Sequence, residues 1–164
     1  GLGTGKTEAL LEIIKHSGRG AVLLGYRNNL LWQTINRGFQ NKVTIYHIQE
    51  IQESDRELLL DENTNKALCL DSIHHVDGHF KGVDIFLDET CSILIHAING
   101  GTLQDAQAKA IKIFTKALND CNRIFLLDGN LSDTYVNFIA RIAPNKKVIK
   151  IENTKGIPQH NITI

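Results

Sequence analysis

The sequence carries no net charge and no hydrophobic run long enough to span a membrane. Its 18 Lys and Arg residues balance 18 Asp and Glu residues over 164 positions. A domain dedicated to DNA binding is usually basic, so any contact with nucleic acid has to be local or has to involve other parts of a larger protein. The longest apolar runs have the length of a strand, well short of the about 20 residues that a membrane helix needs. No signal peptide is recognisable. We therefore expect a cytoplasmic protein without a membrane partner.

Cysteine is also scarce. The three residues Cys69, Cys91 and Cys121 are odd in number and have no paired spacing. This pattern indicates free thiols in a reducing compartment rather than a disulfide framework. The composition is otherwise that of an ordinary globular protein, with 42% hydrophobic and 22% charged residues. A chain of this length predicts one domain with a sizeable core.

A glycine-rich stretch opens the chain. Residues 1–7 read Gly-Leu-Gly-Thr-Gly-Lys-Thr and match the phosphate-binding pattern Gly-x-x-x-x-Gly-Lys-Ser/Thr from its second position onward. The glycines let the backbone fold tightly and point successive N–H groups at a phosphate. The helix that follows adds the positive end of its dipole. We expect a nucleotide to be bound by Gly1, Gly3, Thr4, Gly5, Lys6 and Thr7. A glycine-rich turn without a ligand is the alternative.

The rest of the chain alternates between strand and helix patterns. Apolar runs predict strands at residues 21–26, 43–46, 67–70, 83–87, 123–127 and 147–151. Helices are predicted between most of them, capped by Asn28 or Asn29, by Thr102 and by Ser132. Residues 49–66 are weakly patterned and predict a short helix and a surface loop. This alternation predicts an α/β fold with a doubly wound, mostly parallel sheet. We expect one domain over residues 1–151 and a linker over 152–164.

Two further candidate sites follow predicted strands. Asp88 and Glu89 come directly after the apolar run 85–87. Ligands of open α/β sheets bind at the carboxyl ends of the strands. Asp88 is therefore a candidate ligand of Mg²⁺, together with Thr7. Glu89 is the candidate general base that activates the attacking water, and Lys6 is the candidate contact to the β- and γ-phosphates. A solvated strand end is the alternative for the two carboxylates.

Asp128 and Asn130 form the third candidate site. They follow the strand predicted at residues 123–127. Asp128 is a candidate sensor of the γ-phosphate or partner of a residue near Glu89, and a turn shaped by Gly129 and Asn130 is the alternative.

Several of these stretches resemble the motifs of a known family. Residues 3–7 look like helicase motif I and residues 25–30 like motif Ia. Residues 88–94 look like motif II, in the form Asp-Glu-x-x-Ser, and residues 128–131 resemble motif III. Residues 69–75 resemble the Ser-Leu-x-Arg segment of the same family. Together they resemble the first RecA-like domain of superfamily 2 helicases of the herpesvirus origin-binding protein type, with a particular likeness to cyanobacterial plasmid replication proteins.

The resemblance implies an ATP-driven motor that moves on DNA during replication, including plasmid replication. ATP and Mg²⁺ are the implied cofactors, and single-stranded DNA or an unwinding duplex is the implied partner. Arg27, Asn28 and Ser72 would contact the nucleic acid, and Asp128 and Asn130 would couple the two activities. The sequence departs from the family pattern at His75, where a basic residue is frequent, and at residues 129–130, where a small residue precedes Ser or Thr.

The resemblance also implies parts beyond this sequence. In the family a buried strand precedes the phosphate loop, so we expect an N-terminally truncated chain. A second RecA-like domain of the same protein would supply an arginine finger, which contributes about 10³–10⁵ to the rate of nucleotide hydrolysis. We therefore expect the isolated chain to bind ATP·Mg²⁺ weakly and to hydrolyse it slowly or not at all.

Other interpretations of the same residues remain open. The chain is alternatively a phosphate-loop NTPase that does not act on nucleic acid, or a nucleotide-binding fragment without activity of its own. His75 and His79 have half of a zinc-site spacing, but no cysteine pair accompanies them, so surface histidines are expected. Tyr26 and Trp32 are candidates for stacking on bases, although aromatic residues on such elements more often belong to the core.

Overall fold

The computed structural model describes residues 5–99 and 104–146. A five-stranded sheet forms the centre of this part of the chain, and all four strand pairings are parallel. The strands are β1 (Ala21–Gly25), β2 (Tyr46–His47), β3 (Lys66–Cys69), β4 (Asp84–Asp88) and β5 (Arg123–Leu127). Their order in the sheet is β2-β3-β1-β4-β5, which places β1 and β4 in the interior. The predicted parallel α/β sheet is confirmed.

Helices connect the strands. The α-helices of the described residues are α1 (Lys6–Ser17), α2 (Asn28–Gln40), α3 (Glu57–Leu60), α4 (Thr90–Asn99), α5 (Gln104–Asp120) and α6 (Asp133–Ile142). Shorter 3₁₀ segments lie at Ile48–Glu50, Glu53–Asp55 and Leu70–Val76. None of the helices in residues 5–99 and 104–146 combines the length and the apolar character that crossing a membrane requires.

The core lies on both faces of the sheet, as a doubly wound arrangement requires. Every residue of β1 is buried, which is the reason that this strand reads as an uninterrupted apolar run. Successive side chains of a strand point to opposite faces. Accordingly Val22 and Leu24 belong to the apolar cluster that includes α5, and Leu23 belongs to the cluster that includes α1 and α2.

The parallel arrangement brings the loops after the strands to one edge of the sheet. Gly25 at the end of β1 pairs with Cys69 at the end of β3. Leu24 pairs with Leu87 of β4, one residue before Asp88, and Asp88 pairs with Leu127 of β5. The ends of these strands and the segments that follow them therefore share this edge, and they contain Arg27, Asn28, Ser72, Asp88, Glu89, Asp128 and Asn130.

Several predicted boundaries are wrong. The strand predicted at residues 43–46 is reduced to Tyr46 and His47, although Val43 and Ile45 are buried. The N-cap of α2 is Arg27, not Asn28 or Asn29, and no side chain caps this end. Helix α6 ends at Ile142, because Ala143 leaves the helical conformation just before Pro144. The predicted cap Thr102, the strand at 147–151 and the linker at 152–164 lie outside the described residues.

A buried lysine organises the weakly patterned segment before β3. Lys66 is completely buried, and its Nζ donates to the backbone oxygens of Leu59, at 2.6 Å, and Asp61, at 2.8 Å. Burial lowers the pKa of Lys66 to about 8, although Asp61 and Glu62 favour its charged form. A buried ammonium group needs such partners. Residues 59–61 are therefore held in place by one side chain of strand β3. The sequence of this segment has no periodic pattern that predicts this contact.

A stacked pair of rings joins α2 to the edge strand β2. Trp32 lies on His47 with the ring centroids 4.6 Å apart. The N–H of Gln49 donates to Nδ1 of His47 at 3.2 Å. The neutral ring therefore carries its proton on Nε2, which has no hydrogen-bond partner among the described residues. Burial lowers the pKa of His47, and Glu50 offsets a part of this effect.

We expect His47 to make the stability of the fold depend on pH. Its pKa in the folded chain lies below 6.5, so the unfolded chain takes up the proton more readily. The contribution of neutral His47 is complete above pH 6.5. It is lost as the pH falls from there to the folded-state pKa, by at most about 1.4 kcal/mol per pH unit. His47→Gln should flatten the pH profile of the unfolding free energy, measured by urea titration. Exposed His16→Gln is the control, and an unchanged slope in His47→Gln would contradict the assignment.

Candidate functional site

The start of α1 and the end of β4 meet at one point. Nζ of Lys6, the first residue of α1, lies 3.6 Å from Oε1 of Glu89. Gly5 caps the helix with a φ of 70°, a left-handed conformation that glycine adopts without strain. The N–H of Ala9 donates to the carbonyl oxygen of Gly5 at 2.9 Å. The structure thus brings together two stretches that are about half the chain apart in sequence. Gly1, Gly3 and Thr4 lie outside the described residues.

Glu89 has an unusual backbone conformation. Its φ is 60°, in the left-handed region, which costs a residue with a side chain about 1–3 kcal/mol. The neighbouring bonds hold this turn between β4 and α4. The Thr90 hydroxyl donates to the carbonyl oxygen of Leu87 at 3.0 Å. The N–H of Ile93 donates to the carbonyl oxygen of Glu89 at 3.1 Å. The turn directs the Glu89 carboxylate to Lys6. Strain of this kind concentrates at functional sites.

Asp88 is the carboxylate of the site whose charge is least compensated. Burial and the adjacent charge of Glu89 raise its pKa. Lys6, the N–H of Glu89 and the Thr34 hydroxyl act in the opposite direction without cancelling that rise. A buried carboxylate next to a second one gains most from a nearby cation.

The residues present fit a magnesium ion. Mg²⁺ usually binds one or two carboxylates together with waters and the phosphates of its substrate. Asp88 offers such a carboxylate, and the Thr7 hydroxyl has no hydrogen-bond partner in the described part of the chain. No group of three or more His, Cys, Asp or Glu side chains in residues 5–99 and 104–146 could hold a metal on its own. A cation at Asp88 would therefore depend on phosphate and water as further ligands.

Asp128 is bound to the first turn of α4. Its Oδ2 accepts from the N–H of Cys91 and its Oδ1 from the N–H of Asn130, each at 2.9 Å. Burial alone would raise the pKa of Asp128, but these N–H groups, the Cys91 thiol and Lys6 outweigh it and hold the pKa below its usual value. Asn130 contacts both Asp128 and Cys91 through its backbone. Its carbonyl oxygen accepts from the Cys91 thiol at 3.7 Å. Asp128 therefore pairs with a residue near Glu89.

The candidate nucleic-acid residues lie after neighbouring strands at the same edge. Arg27 is exposed, and its guanidinium lies 4.7 Å from the centre of the Tyr26 ring. Asn28 is half-buried, and its Oδ1 accepts from the Cys69 thiol at 3.0 Å. Ser72 lies in the 3₁₀ segment that follows β3 directly. The register of β1 and β3 thus brings the segments of Arg27, Asn28 and Ser72 side by side.

Sequence reasoning missed two contributors to the site. The Thr34 hydroxyl, in the middle of α2, acts to lower the pKa of Asp88, and the backbone N–H of Cys91 donates to Asp128. Thr34 shares the buried face of α2 with Leu31, Ile35 and Gly38. A polar residue on an otherwise apolar helix face is the feature of the sequence that could have identified it. A backbone N–H leaves no signal in a sequence.

The remaining candidates lie outside this cluster. His74 and His75 are exposed and His79 is half-buried. The Trp32 side chain is half-buried against His47, as the core interpretation predicts.

Comparison with known proteins agrees with this geometry. The family described as "Origin of replication binding protein" matches residues 1–157. No curated protein matches the chain. The structure is similar to S. cerevisiae Dbp5 bound to RNA and ADP–BeF3, with a TM-score of 0.54 and 17% sequence identity. The similarity covers 92% of this chain and 40% of that protein, so the chain spans well under half of Dbp5. The predicted resemblance is confirmed: this chain belongs to the family of origin of replication binding proteins, and its fold is that of a RecA-like domain.

Proposed function

We propose that this chain is the ATP-binding motor domain of a DNA helicase or translocase that acts in DNA replication, including plasmid replication. The observation that carries the proposal is the 3.6 Å approach of Lys6 to Glu89, which joins a phosphate-loop sequence to a pair of carboxylates. The family match supports a role in replication. Dbp5 in its complex with RNA and ADP–BeF3 supports a nucleotide and a nucleic acid as ligands of the same fold.

The nucleotide would bind at the start of α1. Gly1, Gly3, Thr4 and Gly5 would surround the phosphates with backbone N–H groups, and the helix dipole favours negative charge there. Lys6 would contact the β- and γ-phosphates. Thr7 and Asp88 would hold Mg²⁺, which when bound neutralises charge on the phosphates.

Glu89 would act as the general base. Its carboxylate is paired with Lys6, and the Lys6 and Glu89 side chains are 23% and 41% exposed. Partly exposed ion pairs contribute only about 0–1 kcal/mol, so a triphosphate can compete for Lys6 at little cost. Release of Glu89 from Lys6 would leave its carboxylate available to a water molecule.

The nucleic acid would bind across the segments that hold Arg27, Asn28 and Ser72. Arg27 is the exposed cation of this group and would contact a phosphate. Asp128 and Asn130 would couple the two ligands, because Asp128 holds the start of α4 next to Glu89. A second RecA-like domain of the same protein would complete the site with an arginine finger.

Two alternatives are kept. The first is a phosphate-loop NTPase that does not act on nucleic acid, and the second is a fragment that binds nucleotide without hydrolysing it. The exposed Arg27 next to Asn28 and Ser72 favours a polymeric ligand. Turnover by this chain alone at the rate of a complete helicase, stimulated by DNA, would contradict the need for a second domain.

Lys6→Ala should weaken the binding of ATP by about 10- to 100-fold, because hydrogen bonds to charged groups contribute about 1.5–3 kcal/mol. Calorimetric titration of the chain with ATP·Mg²⁺ measures the effect. Lys15→Ala removes an exposed lysine near the other end of the same helix and should bind ATP as the parent chain does. Equal affinities of the two variants would refute the phosphate contact.

Glu89→Gln should lower ATP turnover by about 10²–10⁴, the usual contribution of a general base, while ATP stays bound. The measurement is single-turnover hydrolysis in the protein that contains this chain and the second RecA-like domain. Glu12→Gln, at an exposed position of α1, is the matched control. If turnover persists in Glu89→Gln, another group activates the water.

Arg27→Gln should weaken the binding of a single-stranded DNA oligonucleotide at all sequences alike. It should reduce the slope of log affinity against log salt concentration by about 1, as expected for one lost phosphate contact. Fluorescence anisotropy over a salt series gives the slope. Arg19, also exposed, lies at the opposite end of β1, so Arg19→Gln should leave the slope unchanged. The same reduction of the slope in both variants would argue against a specific DNA-binding site at Arg27.

A further inference from the structure

A pair of polar side chains links the segment of Ser72 to helix α4. Asp71, the residue before Ser72, lies in the 3₁₀ segment that follows β3. Both of its carboxylate oxygens accept from Nε2 of His96, at 3.1 and 3.2 Å. Its carbonyl oxygen accepts from Nδ1 of His74 at 3.2 Å. Asp71 is therefore held through its side chain and through its backbone, although its side chain is 74% exposed.

Helix α4 extends this contact to the candidate nucleotide site. The helix follows Glu89 directly, and the N–H of Ile93 donates to the carbonyl oxygen of Glu89 at 3.1 Å. His96 lies three residues after Ile93, close to one turn further along the helix. A short series of contacts therefore runs from the segment of Ser72 through Asp71 and His96 to the turn that carries Glu89.

We propose that Asp71 and His96 are positioning residues that fix the segment of Ser72 relative to α4 and so couple nucleic-acid binding to nucleotide binding. The inference rests on the proposed function, because it takes Ser72 as a nucleic-acid contact and Glu89 as the general base. Coupling between two sites is carried by rigid elements that hydrogen bonds and packed side chains join. A phosphate bound at Ser72 would act on the adjacent Asp71, which is bound to the helix that follows the base.

An ordinary surface pair is the competing explanation. One apolar cluster already contains Ile73 and Val76 of the 3₁₀ segment together with Ile93 and Leu94 of α4, so packing alone holds the two elements together. A partly exposed pair contributes little to stability. In that case its loss would leave the communication between the two ligands unchanged. The two explanations differ in the coupling between the ligands.

The quantity to measure is the coupling factor. It is the ratio of the affinities for a single-stranded DNA oligonucleotide with and without ADP–BeF3 and Mg²⁺. Removal of the Asp71 charge takes away a repulsion of the DNA phosphates, so DNA affinity by itself would rise under either explanation. The ratio cancels this effect, because the charge is absent in both conditions.

The variants are compared in the protein that contains this chain and the second RecA-like domain. Asp71→Asn and His96→Gln should each reduce the coupling factor by about two- to fivefold, the range of a partly exposed pair. The two changes together should reduce the factor no further than either one does alone, since contacting residues interact. Asp71→His combined with His96→Asp exchanges the partners and should restore most of the factor.

A second histidine pair provides the matched control. Nδ1 of His16 lies 4.0 Å from Oε2 of Glu12, and both residues belong to α1. This pair joins no separate elements, so His16→Gln should keep the coupling factor of the parent protein.

Four results separate the inference from the proposed function. A coupling factor that is unchanged in Asp71→Asn and His96→Gln would overturn the inference. Additive losses, or an exchanged pair that restores nothing, would overturn it as well. A parent protein that binds both ligands without coupling would overturn the inference and leave its two binding sites in place. A parent protein that binds neither ADP–BeF3 nor DNA would refute the proposed function, and the inference with it.

Discussion

The contact between Lys6 and Glu89 joins two parts of the chain that are distant in sequence, and the candidate site depends on it. The pair is partly exposed, so its own contribution to stability is small. What fixes the contact is the sheet. Strand β4 lies between β1 and β5 with its first four residues buried, so its end has little freedom. Helix α1 packs Leu10, Leu11 and Ile14 on the opposite face from α5, and this packing sets where Lys6 begins.

Three carboxylates are influenced by the charge of Lys6, and the negative charge of each is compensated differently. Asp128 is satisfied by backbone N–H groups, which hold its pKa down. Glu89 is paired with Lys6. Asp88 retains a raised pKa because burial and Glu89 outweigh its partners. A local deficit of positive charge therefore remains at Asp88. A site of this kind favours a cation that arrives together with its substrate, since the negative charges of both have to be balanced at once.

Helix α2 connects the candidate nucleic-acid residues to helix α1. It begins next to Arg27 and is bound to α1 by Arg37, whose Nη1 donates to Oε1 of Glu8. A change in the position of this helix would therefore act on α1, at whose start Lys6 lies. By linkage, a nucleic acid that shifts α2 would alter nucleotide affinity, and the nucleotide would alter nucleic-acid affinity by the same factor.

The sequence by itself determined the class of fold and named the candidate residues of the site. Buried parallel strands read as apolar runs, and a glycine-rich loop followed by Lys and Thr has one well-defined chemistry, so local pattern was sufficient for both. Only the tertiary structure decided which residues meet. The ion pair of Lys6 with Glu89, the bond of Asp128 to the N–H of Cys91 and the anchoring of residues 59–61 by Lys66 all join separate elements. Such contacts depend on strand register and helix packing, which local sequence pattern does not encode.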